Sequence, residues 1–371
     1  MVRALRVVGA ALVAMTVASA GSVSAQGRDD PGVVIETMQL SGALRVRGAA
    51  LSQRITYWSR GPRGPMQSTA AIYLPPGPPP PGGWPIVAYA HGSVGIADQC
   101  AFTLRPREFY LETVYPALLG AGFAVVISDY VGLGTPGTHP YLDGPSQARS
   151  VIDGVRAARA VAPALDTRWA VFGQSQGGQT ALFTAALGPA DAPELALRGA
   201  VATGAPSNLE YGVTVVGPWV PRLPLRKTTT YFGLILAGLR ATAPELDIDS
   251  YLTPIGEQVL RIVESECVDD ADALVHDIAI GQMLRRPLAG PALESAVRSM
   301  LRIPTEAQTV PLFLGQGLTD LEVPAPLSVK LIADLRSSGA DLQVGVYPGD
   351  HLSAAAAALP DALAFLHRVL A

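Results

Sequence analysis

The sequence has few charged side chains, few aromatic side chains and no basic cluster. Of its 371 residues, 16% are charged and 6% are aromatic, and the formal net charge is −4. Because no basic run is present, neither nucleic acid nor an anionic membrane surface is expected as a partner. No spacing of histidine, cysteine and glutamate suggests a metal site, and no glycine-rich loop suggests a nucleotide. We therefore expect no metal and no cofactor, and we infer no protein partner.

Cysteine is almost absent as well, since Cys100 and Cys267 are the only two. In an exported protein, an isolated pair favours a disulfide over two free thiols. The alternative is a pair of buried thiols that pack as small apolar groups. We predict a bond between Cys100 and Cys267.

An apolar stretch near the N-terminus, Val7 to Ala20, is too short to span a bilayer comfortably. Arg3 and Arg6 precede it and small residues follow it up to Ala25, which is typical of a signal peptide. We predict that residues 1–25 are removed after Ala25 and that the protein is secreted, to the extracellular space or the cell envelope. The alternative is an uncleaved N-terminal anchor.

The rest of the sequence contains a regular alternation of short apolar strands and helices, and 49% of all residues are hydrophobic. This alternation indicates the α/β class, with a doubly wound and mostly parallel sheet. The alternation lapses between residues 207 and 305, where the pattern is mostly helical. We expect a core formed by residues 26–206 and 306–371, with residues 207–305 inserted as a helical cap or lid. Within the first part, Ser146 is predicted to cap a helix.

The segment Gly173-Gln-Ser-Gln-Gly177 has the G-x-S-x-G pattern of a nucleophile elbow. An apolar strand, Trp169 to Phe172, precedes it, and a helical stretch follows it until Gly188-Pro189. In such an elbow a sharp turn raises the serine hydroxyl above the sheet, and the glycines avoid clashes that side chains would cause. Ser175 is therefore the candidate nucleophile. The alternative is a glycine-rich turn with a structural serine.

A serine hydroxyl needs a neighbouring base to act as a nucleophile at neutral pH. Of the five histidines, His351 alone follows the last predicted strand and precedes a helix, where the chain order serine, acid, histidine places the base. The acid is expected after the preceding strand, where Asp320 and Glu322 lie. We assign Asp320 the role of orienting the imidazole. Asp350, directly beside His351, is the alternative acid.

The oxyanion of a tetrahedral intermediate needs two backbone N–H donors. The amide that follows the nucleophile, that of Gln176, is one candidate. The other is expected in the loop after the strand Ile86 to Ala90, from either Ser93 or Val94. Asp129, at the end of the next strand, is predicted to be structural and to bind backbone amides in its own loop.

Four segments together resemble the secretory lipase family: Ala90–Gly92, Ser128–Tyr141, Gly173–Gly178 and Gly349–His351. The resemblance covers roughly residues 50–370, and the loop 128–141 is its most specific part. Members of this family are exported α/β-hydrolases with a helical lid inserted before the acid. The resemblance implies an α/β-hydrolase fold, ester substrates such as triacylglycerol and no cofactor. It also implies Ser175, Asp320 and His351 as nucleophile, acid and base.

The sequence therefore predicts a secreted serine hydrolase that cleaves lipid-like carboxylic esters, above all triacylglycerols, through an acyl-enzyme on Ser175. Its expected partners are the ester substrate and a lipid–water interface. A short-chain carboxylesterase or an acyltransferase on the same scaffold is the alternative. A peptidase, or a catalytically silent relative that only binds, agrees less well with the residues.

The helical stretch 207–305 carries apolar side chains that lie outside the predicted sheet. We hypothesise that some of them line an acyl tunnel or a lipid-facing lid, where each buried methylene contributes about 0.8 kcal/mol. The alternative is that they only pack the insertion against the core. The candidates are Val213, Val215, Val216, Trp219, Phe232, Leu234, Ile235 and Leu236.

Overall fold

The computed structural model describes residue 27 and residues 29–371, so the predicted signal peptide lies outside the described residues. The strands in that range are β1 (Val34–Gln39), β2 (Leu51–Gly61), β3 (Gly64–Leu74), β4 (Trp84–Ala90), β5 (Ala124–Ser128), β6 (Leu165–Gln174), β7 (Ala196–Thr203), β8 (Leu312–Gly317) and β9 (Leu342–Tyr347). The helices are α1 (Tyr115–Gly120), α2 (Gly144–Val161), α3 (Gln176–Asp191), α4 (Leu209–Val213), α5 (Thr228–Thr242), α6 (Pro254–Ser265), α7 (Val268–Val275), α8 (Ile280–Met283), α9 (Pro291–Leu301), α10 (Ala325–Ser337) and α11 (His351–Leu370).

The strands form one sheet that is antiparallel at one edge and parallel elsewhere. Their order is β1-β2-β3-β5-β4-β6-β7-β8-β9. The neighbouring pairs β1-β2, β2-β3 and β3-β5 are antiparallel. The pairs β5-β4, β4-β6, β6-β7, β7-β8 and β8-β9 are parallel. The predicted α/β-hydrolase fold, with its mostly parallel sheet, is confirmed. Because β4, β6, β7 and β8 run in the same direction, the loops that follow them meet at one edge of the sheet.

Each face of the sheet has its own hydrophobic core. On β4, Ile86 and Ala88 pack in the cluster that includes α2 and α3, whereas Val87 and Tyr89 pack in the cluster that includes α1 and α11. A strand covered by helices on both faces is apolar along its whole length, which explains the continuous apolar run seen in the sequence. Trp169, on the neighbouring β6, is fully buried. The strand that leads to the elbow is thus held between two helical layers.

Helices α4 to α9 lie between β7 and β8, where the sequence predicts a helical insertion. They have a hydrophobic cluster of their own. On α6, for example, Val259, Leu260 and Val263 share one buried face, as in an amphipathic helix. We name residues 207–305 the helical segment; its boundaries and its role as a lid remain predictions. Among the described residues, no helix combines the length and the apolar composition needed to cross a membrane.

Two helix boundaries differ from the predicted ones. The helix α2 begins at Gly144, because the Asp143 carboxylate caps it by accepting the amide of Ser146 over 3.2 Å. The Ser146 hydroxyl is therefore not the cap. The helix α3 continues through Gly188-Pro189 to Asp191. A proline in the last turn removes a single backbone N–H, so the turn still forms.

Candidate active site

Ser175 lies at the turn between β6 and α3, as the elbow pattern predicts. Its backbone has φ 57° and ψ −124°, a strained conformation for a residue with a side chain. A Cβ added to Gly173 would lie 1.8 Å from the Gly177 carbonyl oxygen, and one added to Gly177 would lie 1.8 Å from the Ala90 carbonyl oxygen. Both positions therefore require glycine if the turn is to form.

His351 is the first residue of α11, and Asp320 lies in the loop after β8. The structure brings them together: His351 Nδ1 lies 2.6 Å from Asp320 Oδ2, and both side chains are buried. Because the carboxylate accepts, Nδ1 carries the proton and Nε2 is the basic nitrogen. Nε2 is buried and has no hydrogen-bond partner among the described residues. Ser175 and His351 line the same narrow slot.

The two alternative acids have other partners. Asp350 caps α11 by accepting from the hydroxyl of Ser353 over 2.7 Å and from its amide over 3.0 Å, and these contacts hold the pKa of its carboxyl below the ordinary value. Glu322 accepts from the Tyr231 hydroxyl over 2.6 Å. Burial and the adjacent Glu322 carboxylate raise the pKa of Tyr231, which keeps this hydroxyl protonated as the donor. Of the three carboxylates, Asp320 is the one that contacts His351.

Gly204 belongs to the site and was not identified from the sequence. It follows β7, and a Cβ there would lie 2.8 Å from His351 Cε1. The absence of a side chain lets the imidazole pack against the end of a central strand. A glycine directly after an apolar strand is the sequence signal that could have found it.

The loop after β4 lies beside the nucleophile. A Cβ on Gly92 would lie 3.4 Å from Ser175 Cβ, so the loop backbone contacts the elbow. Ser93 and Val94 line the slot together with Ser175. No backbone carbonyl of the described residues accepts a hydrogen bond from the backbone amide of Ser93, Val94 or Gln176. Ser93 and Val94 both remain candidates for the second oxyanion donor.

The predicted disulfide between Cys100 and Cys267 is present. It joins the loop after β4 to the helical segment, just before α7. Next to it, the amide of Val268 donates to the carbonyl of Val94 over 2.9 Å. The loop that carries the candidate oxyanion donors is therefore held in place by the helical segment.

A buried polar layer lies beneath the elbow. The side-chain amide of Gln176 lies 3.0 Å from His139 Nε2, and His139 Nδ1 lies 3.0 Å from the carbonyl oxygen of Val131. A carbonyl only accepts, so Nδ1 is protonated and Nε2 accepts from the amide. Burial lowers the pKa of His139 to about 3, in agreement with a neutral ring. This contact positions Gln176 next to the nucleophile.

Asp129 is fully buried, and its partners differ from the predicted ones. It accepts the backbone amide of Thr103 over 2.9 Å and the hydroxyl of Thr69 over 2.6 Å. Neither partner lies in its own loop. Since β5 lies next to β3 and close to the loop after β4, the carboxylate joins these neighbours instead. Asp129 thus connects the end of β5 to β3 and to the segment around Thr103.

Two spaces of opposite character meet at Ser175. A slot of about 30 Å³ has a mostly polar lining, which includes Ser93, Arg107, Tyr110, Gln174, Lys227, Glu322 and His351. A cavity of about 430 Å³ has an almost wholly apolar lining, from α4, α5 and the loop before α10. Tyr231 and Glu322 line both spaces. Their hydrogen bond therefore lies at the junction of the slot and the cavity.

The helical segment supplies much of the apolar lining of the cavity. Four of the apolar side chains singled out in the sequence line it: Val213, Val216, Phe232 and Ile235. Leu234 and Leu236 pack inside the helical segment instead. Residues Val215 and Trp219 are 67% and 65% exposed.

Comparisons with known proteins agree with the resemblance seen in the sequence. The family model described as Secretory lipase matches residues 110–370. The structure is similar to that of Candida antarctica lipase A in its closed state, with a TM-score of 0.76, 20% identity, and 92% of this chain and 82% of that chain covered. It is also similar to the rice cell wall degrading esterase LipA from Xanthomonas oryzae, with a TM-score of 0.69, 20% identity and coverages of 92% and 98%. No curated protein sequence matches the chain.

Proposed function

Because the chain belongs to the secretory lipase family, and is therefore a lipid ester hydrolase, we propose that it cleaves carboxylic esters through an acyl-enzyme on Ser175. The observation that carries the proposal is the contact between His351 Nδ1 and Asp320 Oδ2, beside the strained elbow serine. A serine hydroxyl, an imidazole with an available Nε2 and a buried carboxylate are the three groups that this chemistry needs.

In the proposed acylation step, Ser175 Oγ attacks the ester carbonyl carbon while His351 Nε2 takes the hydroxyl proton. Asp320 holds the imidazole in the required tautomer and stabilises the imidazolium. The oxyanion binds the amide of Gln176 and that of Ser93 or Val94. The imidazolium then gives its proton to the leaving alcohol. Water, activated in the same way, attacks the acyl-enzyme, releases the carboxylic acid and restores the serine.

The apolar cavity supports a lipid-like acyl chain as the substrate group. It opens beside Ser175 and is lined by Phe232 and Ile235 of α5. Each methylene buried there contributes about 0.8 kcal/mol to binding, which favours longer chains over acetate. We therefore propose that the acyl chain enters the cavity and that the alcohol leaves through the polar slot. Triacylglycerols are the proposed natural class of substrate.

The helical segment is proposed to act as a lid at a lipid–water interface. Residues Val215 and Trp219 expose large apolar side chains, and they belong to the same stretch that lines the cavity. Secretion after removal of residues 1–25 completes the proposal. The disulfide between Cys100 and Cys267 supports it, because such bonds persist in oxidising compartments.

Hydrolysis of p-nitrophenyl esters of increasing acyl length, with and without emulsified triglyceride, tests this function. We expect kcat/KM to rise from acetate to longer chains and the triglyceride to be hydrolysed to free acid. Maximal activity on acetate with none on triglyceride would instead support the short-chain carboxylesterase. If no ester is cleaved, the proposed chemistry at Ser175 is wrong.

A further inference from the structure

Gln174, the last residue of β6, directly precedes Ser175 and is only 3% exposed. The hydroxyl of Tyr110 donates to Gln174 Oε1 over 3.2 Å, and this bond fixes the orientation of the carboxamide. The other end, Nε2, is buried and lacks a hydrogen-bond partner within residues 29–371. Gln174 therefore offers a donor for which the fold supplies no acceptor.

A buried donor without an acceptor destabilises the folded chain, because it has lost its hydrogen bonds to water and gained none in return. The buried Gln316, by contrast, is paired, since its Nε2 donates to the carbonyls of Gly317 and Val323. The Nε2 of Gln147 is also unpaired among the described residues but does not line the slot. The Nε2 of Gln174 holds no other element in place. Its side chain lines the slot that also contains Ser175 and His351. We therefore look for the acceptor of Gln174 Nε2 on a bound substrate.

When the acyl chain occupies the apolar cavity, the slot is the space beside Ser175 that remains for the part of the alcohol next to the scissile bond. Gln174 lines the slot and does not line the cavity. Glu322 lines the slot too, and its carboxylate can accept a further hydrogen bond besides that from Tyr231. The slot volume of about 30 Å³ corresponds to one hydroxyl-sized group. A donor and an acceptor in so small a space match a hydroxyl group, which accepts one hydrogen bond and donates another.

We propose that Gln174 Nε2 donates to a hydroxyl group on the alcohol side of the ester and that Glu322 accepts from the same hydroxyl. The site then prefers esters of polyhydric alcohols in which a free hydroxyl lies next to the scissile bond, so that partial esters of glycerol are cleaved faster than triacylglycerols. An ester without this hydroxyl leaves Nε2 unpaired and is cleaved more slowly, because a site that hydrogen-bonds a substrate hydroxyl discriminates against the analogue that lacks it. This inference rests on the proposed function and makes Gln174 a specificity-determining residue.

A matched pair of substrates tests the proposal, because 2-hydroxyethyl octanoate differs from n-propyl octanoate by a hydroxyl in place of a methyl group. The measured quantity is the ratio of the two kcat/KM values. Gln174→Met keeps the length of the side chain and removes the donor, so the ratio should fall by roughly 5- to 30-fold from that of the wild type. Tyr110→Phe lets the carboxamide rotate and should lower the ratio by a smaller factor.

Gln179→Met is the matched control, since Gln179 is also a buried glutamine but lines neither the slot nor the cavity. Its ratio should equal that of the wild type. Equal ratios in the wild type and Gln174→Met overturn the proposal and mean that Nε2 bonds to water alone. Should Gln174→Met fail to fold, Gln174→Leu gives the same test, because it also removes the donor and adds no charge. If the wild type cleaves neither ester, the proposed function fails instead.

Discussion

His351 Nδ1 donates to Asp320 Oδ2 over 2.6 Å, while Oδ1 of the same carboxylate accepts the backbone amides of Glu322 and Val323. One carboxylate thus holds both the candidate base and the loop that carries Glu322. Because Glu322 in turn binds Tyr231 at the junction of the slot and the cavity, the position of the imidazole and the shape of this junction depend on the same side chain.

Removal of the candidate nucleophile or base should abolish turnover. We expect Ser175→Ala and His351→Ala each to lower kcat by roughly 10⁴-fold or more, and the double variant to lose little further activity, because the two groups act as a unit. Asp320→Asn should cost somewhat less, since the imidazole remains but loses its acceptor. Rates on a p-nitrophenyl ester, with circular dichroism to establish folding, provide the measurement.

Asp350→Asn is the matched control for the acid. The Asp350 side chain is exposed, and asparagine also caps helices, so kcat and stability should change little. Near-normal activity in Ser175→Ala would contradict the proposed mechanism. An inactive Asp350→Asn together with an active Asp320→Asn would make Asp350 the acid.

Filling the apolar cavity should shorten the preferred acyl chain. Ile235 lines the cavity, so Ile235→Phe should displace two to four methylenes of a long chain and lower kcat/KM on long-chain esters by roughly 10- to 100-fold, with little effect on acetate. Leu236, the next residue, is fully buried inside the helical segment. Leu236→Ala should lower the free energy of unfolding by about 2–5 kcal/mol and leave the chain-length profile unchanged. An equal loss on all esters in Ile235→Phe would mean that the cavity does not bind the acyl chain.

Loss of the disulfide should weaken both the fold and the oxyanion loop. Cys100 and Cys267 are 167 residues apart, and removal of a native disulfide typically lowers the free energy of unfolding by about 2–5 kcal/mol. We expect this loss in the double variant Cys100→Ser/Cys267→Ser, together with a lower kcat, because the bond between Val268 and Val94 lies beside it. Urea unfolding and ester hydrolysis provide the two measurements. Free thiols in a non-reducing digest of the native protein would show that the bond does not form.

The stabilisation due to His139 should decline as the pH falls below 6.5. Burial lowers the pKa of His139 from 6.5 to about 3 in the folded chain, so the unfolded chain binds this proton first. The contribution of His139 to the free energy of unfolding is complete above pH 6.5. It decreases by about 1.4 kcal/mol per pH unit as the pH falls from 6.5 towards 3. Urea unfolding of the wild type and His139→Gln at about pH 7 and about pH 5 should show their difference in unfolding free energy narrowing with that slope. If the unfolding free energies of the two proteins changed in parallel with pH, this prediction would be contradicted.

Local patterns in the sequence predict the elbow and the strands around it well. The turn at Ser175 can be predicted because the spacing of Gly173 and Gly177 follows from steric contacts within a few residues. His351 could be chosen among five histidines because parallel strands bring the loops after them to one edge of the sheet. With two cysteines, only one intramolecular disulfide was available.

Contacts between distant segments could not be predicted in the same way. Ile235 and Leu236 are both apolar and adjacent, and only the packing of α5 decides which of them reaches the cavity. The contact of Gln176 with His139 and the unpaired amide of Gln174 depend on how the elbow packs against segments that are distant in the sequence. Asp143 caps α2 in place of Ser146 because backbone geometry before the helix, rather than residue type, decides between two good capping residues.

The position of His351 at the start of α11 also has a consequence for the order of events during synthesis. The ribosome makes Ser175 first, then the helical segment and Asp320, and only then His351. A nascent chain that ends before α11 therefore lacks both the proposed base and part of the helical layer that covers β6. His351 reaches the elbow once α11 packs against β7 and β8. Under the proposed roles, a chain that ends before α11 has no ester hydrolase activity, because it lacks the base.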